Sequence, residues 1–277
     1  MVVQIRNQDE VTTMQTFPFP LHLQARRLGG LIAVLCLLAG ISTLRAQDDK
    51  KAGDAYLGAN GLFNLGLYEQ AIGSYQEFLK NHPKHPKVIN VRYGMGISHF
   101  QLKQYDKAAE ELGKVVGDPK CPDKPRANLF WGQSLLMLGK PANAEGAFAA
   151  GIKALPASKD VALLSNLQVS QLEALFQQKK WKDVVGAAKT LKGKVGDRST
   201  RVAFQGAFAL YELKQFKEAG TALVSLKPSV KNTPYEQQTH FLLAESLREQ
   251  KQFPLAIKEF EVAAGLKGDF STEALYR

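Results

Sequence analysis

The chain has 277 residues and a formal net charge of +10. After residue 46 lysines outnumber arginines by 26 to six; scattered lysines mark solvated helix surfaces, whereas readers of nucleic acid favour Arg forks and clustered basic stripes, so no nucleic-acid partner is expected. Cysteine is confined to Cys36 and Cys121, and if Cys36 leaves with a leader no intrachain disulfide is possible in what remains.

The leader is the first element in chain order. Arg26-Arg27 precede an apolar run from Leu28 to Ser42, and Ala46 stands before Gln47-Asp48-Asp49. A basic flank, a short greasy core and a small residue ahead of an acidic start are the features of a secretory signal. Residues 1–46 are therefore expected to be an N-terminal leader and signal peptide, with Met14 as an alternative start, and the mature protein to be exported, periplasmic or associated with the cell envelope. The alternative is a retained inner-membrane anchor over 28–44, although Gly29-Gly30 dilute the run and it is short for a bilayer. A membrane is an expected partner only in that alternative.

From about residue 52 a single pattern repeats. An aromatic residue or its stand-in is followed three positions later by a small apolar one: Tyr68/Ala71, Tyr105/Ala108, Pro141/Ala144, Trp181/Val184, Phe216/Ala219 and Phe253/Ala256. Steps between the second members are 37, 36, 40, 35 and 37 residues, a period at which each unit buries its apolar face by stacking on neighbours. Within a unit the spacing predicts two helices and a tight turn. In the second unit, Val88 to Leu102 and Tyr105 to Val116 both show helical periodicity. The words Lys103-Gln104, Lys214-Gln215 and Lys251-Gln252 mark turns short enough to force antiparallel helices.

Twelve residues before each marker lies Ala59, Gly96, Gly132, Leu172, Ala207 or Ala244, and four after it Tyr75, Leu112, Phe148, Ala188, Leu223 or Phe260. Small and large residues at these offsets are expected to interlock. Unit four, with Leu172, Val184 and Ala188, breaks the scheme and is the expected irregular joint. Eight prolines (Pro83, Pro86, Pro119, Pro122, Pro125, Pro156, Pro228 and Pro234) are expected between repeats, and Pro141 and Pro254 in first turns of helices, where the missing N–H costs nothing. Gly73, Gly146, Gly186 and Gly206 fall inside helices, and close helix contact is the favoured reason, with a soft solenoid as the other.

With its closing Pro83 and Pro156, this pattern resembles the tetratricopeptide repeat. The resemblance implies an all-α, right-handed superhelical solenoid of antiparallel helix pairs over residues 47–277, with about six repeats and a partial seventh at Ser271–Arg277 that is expected to continue beyond 277. It also places particular first-helix residues on the concave side: Tyr56, Asn60 and Phe63; Tyr93, Ile97 and Phe100; Leu129, Gln133 and Leu136; Val169, Glu173 and Phe176; Phe204, Phe208 and Tyr211; Phe241, Glu245 and Arg248. Some of these rings are expected to fill core instead. A groove so rich in aromatics suits a protein or peptide with apolar anchors. The carboxylate clamp known in the family is not expected, because Tyr56 stands where its leading Lys is needed, although Asn60 and Asn64 are suitably spaced.

No phosphate-binding loop, His-Glu-x-x-His or Gly-x-Ser-x-Gly occurs. His82 and His85, in the turn Asn81-His82-Pro83-Lys84-His85-Pro86, have no evident third metal ligand nearby, His99 takes a packing position, and the pairs Asp48-Asp49 and Glu110-Glu111 read as solvated surface. No catalytic residue, cofactor or metal is expected. The sequence thus reads as an exported scaffold for cell-envelope assembly or maintenance. The alternative is the repeat region of a larger membrane-anchored protein or enzyme whose working domain lies beyond 277.

Overall fold

The structure, a computed structural model, describes residues 47–155 and 160–277. The expected signal peptide, and the alternative anchor over 28–44, lie outside the described residues. The chain divides into two compact units, one ending at Gly53 and one running from Asp54 to Arg277. In the first, residues 47–53 are helical. The second is built of helices alone among its described residues.

In the second unit, helix α1 covers residues 54–64. It is followed by α2 (Tyr68–Asn81), α3 (Val88–Gln101), α4 (Tyr105–Val116), α5 (Lys124–Met137), α6 (Pro141–Ala154), α7 (Val161–Gln177), α8 (Trp181–Leu191), α9 (Ser199–Glu212), α10 (Phe216–Val230), α11 (Glu236–Glu249), α12 (Phe253–Gly265) and the short α13 (Ser271–Tyr276). From α2 onward each helix packs on the next in sequence. Every predicted marker aromatic, or its stand-in, is the first residue of a second helix: Tyr68, Tyr105, Pro141, Trp181, Phe216 and Phe253. Helices α2, α4, α6, α8, α10 and α12 are thus the second helices of successive helix pairs.

One backbone device makes all six turns. Gly66, Lys103, Gly139, Lys179, Lys214 and Lys251 have φ between 57° and 75°, the left-handed conformation that ends a helix sharply. In the second repeat the Lys103 N–H donates to the Phe100 carbonyl and the Gln104 N–H to that of His99, both at 2.9 Å. The same two bonds recur in the other five turns, from Gly66/Leu67 to Lys251/Gln252. This is the Schellman arrangement, which satisfies carbonyls the helix end leaves over. Four repeats build it with Lys, although a Cβ at such a φ costs about 1 kcal/mol. First helices α5 and α7 are also capped by side chains: Asp123 accepts from the Arg126 N–H at 3.1 Å and Asp160 from the Leu163 N–H at 2.8 Å.

The small–large interlock holds the pairs together. Ala71, Ala108, Ala144, Val184 and Ala219 are wholly buried, and Ala256 nearly so. A Cβ on Gly96 would sit 2.7 Å from Leu112 Cγ, and one on Gly132 only 2.5 Å from Phe148 Cε1; both fillers are wholly buried. The absence of a side chain therefore sets how closely the helices approach. Between repeats the same logic places Gly94 under the Tyr75 ring, with a Cβ 2.5 Å from its hydroxyl, and Gly151 against Leu167.

Several expectations need correction. A Cβ at Gly73, Gly146 or Gly186 would meet nothing within 4 Å, so close contact explains only Gly206 of the four. Pro228 lies inside α10, two residues from its end, and Pro125 belongs to the first turn of α5. Glu111 is buried rather than solvated. Its carboxylate accepts from Arg92 on α3 at 2.6 Å and from Lys114 at 2.9 Å.

Repeat four departs as expected, and the reason is an inversion. Leu172, wholly buried on the first helix, occupies the place of a small residue, and α7 and α8 pack less intimately than α3/α4, α5/α6, α9/α10 or α11/α12. The short side chain is on the second helix: Ala188 Cβ would stand 2.8 Å from a Cβ on Gly206 of the next repeat. Helix α8 is also short, at 11 residues, and gives way to a connection through Val195 and a turn of 3-10 helix at Gly196–Arg198.

Candidate partner-binding groove

Successive first helices touch one another: α3 with α5, α5 with α7, α7 with α9, and α9 with α11. No two second helices pack comparably among the described residues. The first-helix layer is therefore the more tightly drawn one, as the inner layer of a curved stack must be.

The predicted groove residues fall into three rows along that layer, one row per helical register. The row nearest the turns is Phe63, Phe100, Leu136, Phe176, Tyr211 and Arg248, and every member is half-buried. Its rings lean edge-on against the first aromatic of their own second helices. Centroid distances are 5.8 Å for Phe63–Tyr68, 5.7 Å for Phe100–Tyr105, 5.4 Å for Phe176–Trp181 and 5.7 Å for Tyr211–Phe216. These rings brace the turn and stay half-exposed. Neighbouring repeats join the row, with Phe100 4.9 Å from Phe130 and Phe176 5.3 Å from Phe208.

In the middle row Asn60, Gln133, Glu173 and Phe208 are half-buried, whereas Ile97 and Glu245 are buried. In the third row Tyr56 and Tyr93 are half-buried, but Leu129, Val169, Phe204 and Phe241 have sunk into the core. Phe204 stacks on Tyr235 at 5.0 Å and Phe241 on Phe270 at 4.9 Å. Ile97, Phe204 and Phe241, at 5%, 5% and 9% exposure, are packing residues here.

Polar groups along the layer are largely engaged. Asn60 Oδ1 accepts from the Tyr75 hydroxyl at 2.6 Å, which takes up the side chain that a carboxylate clamp would use. Lys87 lies over the Tyr56 ring at 5.2 Å. Glu173 accepts from Gln205 at 2.7 Å and Gln177 at 3.1 Å, and Glu245 is paired with Arg248 at 2.7 Å and Arg277 at 3.5 Å. Burial, and then the Asp123 carboxylate, holds the Tyr93 phenol well above its ordinary range. Burial and then Glu245 raise that of Tyr211. Both hydroxyls are neutral donors at any physiological pH. Between α5 and α7 the layer dips into a cavity of about 310 Å³ lined by Arg126, Phe130, Gln133, Asp160 and Asn166 among others.

A family model for the tetratricopeptide repeat matches residues 51–85 and another matches 93–159. This is a tetratricopeptide-repeat protein. No curated protein matches its sequence, but solved structures of similar fold are numerous. MamA of MSR-1 is 19% identical with a TM-score of 0.51 over 64% of this chain and 95% of its own. MamA of AMB-1 gives 19%, 0.52, 64% and 96%. The C-terminal part of a repeat-containing protein from Cytophaga hutchinsonii is 14% identical with a TM-score of 0.56, covering 76% of this chain and 78% of its own. At such identities the likeness is one of fold.

The tetratricopeptide array also contains clamps that the sequence did not disclose. Gln178 Nε2 donates to the Pro141 carbonyl at 3.3 Å and to Glu145 at 2.7 Å, and Gln250 Nε2 donates to the Phe216 carbonyl at 3.1 Å. Each ties the end of a first helix to the start of the previous repeat's second helix. Their signal was a Gln at a register that holds Leu65, Leu102, Leu138 and Leu213 elsewhere. His82 and His85 pack on the Phe78 ring at 5.4 and 5.5 Å, and buried His99 pairs through Nδ1 with Gln104 at 2.7 Å. Among the described residues no group of three or more His, Cys, Asp or Glu is placed to hold a metal, and no helix is long and apolar enough to cross a membrane. Cys121 is half-buried between prolines, and burial pushes its thiol up.

Proposed function

We propose that this protein is a binding scaffold that takes a peptide or helix of a protein partner along its first-helix layer. The observation that supports this most is the row Phe63, Phe100, Leu136, Phe176 and Tyr211: apolar, half-exposed in five consecutive repeats, and with its four rings already ordered by their second-helix neighbours. Rings held in place before binding lose little side-chain freedom on contact, which favours them as anchors. Arg126 and Gln133, at the dip between α5 and α7, supply the polar contacts that fix a partner's register. Half-buried Tyr56, Asn60, Tyr93, Phe208 and Arg248 extend the surface to either side.

The reading includes export, which rests on Arg26-Arg27, the Leu28–Ser42 run and Ala46, and places the scaffold in cell-envelope assembly or maintenance. Two experiments test the proposal. Purified protein with an N-terminus at Gln47 supports export, and a chain still carrying residues 28–44 in a detergent-extracted fraction contradicts cleavage. Affinity capture from envelope extract, compared between the natural protein and folded Phe100→Ala and Phe176→Ala variants, tests the groove. Partners lost in both variants support it; partners retained in both refute it.

A further inference from the structure

Helices α8, α9 and α10 enclose an open trough of about 740 Å³ on the side away from the aromatic rows. On α9 it is lined by Ser199, Ala203, Gly206 and Leu210. At 100° per residue these face roughly 140° from the stripe of Phe204, Phe208 and Tyr211. The trough follows from the inversion in repeat four: Ala188 fills less space than the Leu, Phe or Tyr of the other repeats, and α8 stops at Leu191.

Three properties define what fits. The walls are mostly apolar and small, with Val185, Ala188, Ala203, Gly206, Leu210 and Ala222 among them. Small walls admit another helix at close range. Along α10 the lining runs from Lys217 to Ser229, about 18 Å, or three helical turns. The rim carries Lys189, Lys192 and Lys217 against the single acid Glu218. All four are exposed, and none has an ion-pair partner among the described residues.

We propose that this trough is a second docking site, which takes an amphipathic helix of about three turns with an apolar face and acidic flanks. The rim charge selects acidic flanks and the small-walled floor selects a helix. The site is independent of the aromatic rows, so the scaffold can hold two partners at once.

The test uses the full chain and a fluorescent helical peptide of about three turns, with Leu and Ala on one face and Glu on both flanks. A counterpart carries Lys in place of every Glu. The acidic peptide is expected to bind at least about tenfold more tightly at low salt, and added salt should erode the difference. Ala203 is exposed, so Ala203→Trp obstructs the trough without entering the core; it should weaken binding at least about tenfold. Lys189→Glu, Lys192→Glu and Lys217→Glu together should reverse the preference, whereas Phe100→Ala on the first-helix layer should leave it unchanged. Circular dichroism checks that each variant is folded. Equal affinity for the two peptides, or binding indifferent to Ala203→Trp, overturns the proposal. So does dodecanoate binding blocked by Ala203→Trp with no binding of the acidic peptide, which would make the trough a lipid site.

Discussion

The same substitution, Gly→Ala, should have opposite signs at two positions of one repeat. Added at Gly132 on α5, a Cβ would stand 2.5, 2.8 and 2.8 Å from three atoms of the Phe148 ring. Ordinary contact lies near 3.5–4 Å, so the ring must retreat by about 1 Å. It has little room to do so. Phe148 is wholly buried in a cluster with Leu129, Leu135, Leu163 and Leu167. Overpacking of this kind costs about 1–3 kcal/mol, against a helix-propensity gain of about 0.5–1 kcal/mol, leaving a net loss of up to about 2.5 kcal/mol. At Gly146 on α6 the new methyl meets nothing within 4 Å, and the propensity gain stands alone at about 0.5–1 kcal/mol. Urea melts followed by circular dichroism should show the Gly132→Ala midpoint falling and the Gly146→Ala midpoint rising. Equal stabilisation by both would refute the claim that the missing side chain at Gly132 sets the spacing of α5 and α6.

The turns allow a related comparison: Lys103→Gly, Lys214→Gly and Lys251→Gly should each raise stability by about 0.5–1 kcal/mol, and Gly139→Lys should lower it similarly; thermal melts decide. Loss of the cap in Asp160→Ala should cost about 1 kcal/mol, measured by the same melts, while Asp160→Asn costs much less. Acid stability should depend on Glu259. Burial raises its pKa, but His240, at 2.5 Å through Nδ1–H, and Lys227, at 2.6 Å, outweigh burial and hold the carboxyl below its ordinary value. A lowered folded pKa stabilises the protein above the unfolded carboxylate value near 4.3 and is lost as pH falls through the folded one. Glu259→Gln should therefore flatten the acid limb of a stability–pH curve below about pH 5, and an unchanged limb would contradict this assignment.

The repeat was legible because its information is local in register. The marker at Ala108, its filler at Leu112 and the small residue at Gly96 lie at fixed offsets, and helical geometry turns those offsets into contacts. What depends on neighbours outside the register was not legible. Gly73 and Gly132 are both glycines in a helix, yet only Gly132 faces a ring, and nothing at position 73 itself reports an empty space. Glu111 reads as surface beside Glu110 until the fold brings Arg92 to it from 19 residues away. Lys103-Gln104 announced a turn, but its left-handed lysine is a backbone property that a Lys does not advertise as a Gly would. In the groove, Phe204 and Tyr56 share one register, and whether each sinks or stays half-exposed is decided by the next repeat: Tyr235 covers Phe204, while Lys87 leaves Tyr56 partly open. The trough arises from two modest departures, Leu172 and Ala188, whose joint effect is visible only when α9 and α10 are in place.

The central claim is that partners engage the first-helix layer. Site-specific photocrosslinking in cells tests it most directly, with a photoreactive phenylalanine analogue placed at Tyr93, Phe100 and Phe176 and, on exposed second-helix positions, at Lys107 and Lys258. The account predicts protein adducts from the first three positions and none of the same mass from the last two. Adducts from Lys107 and Lys258 alone would contradict it.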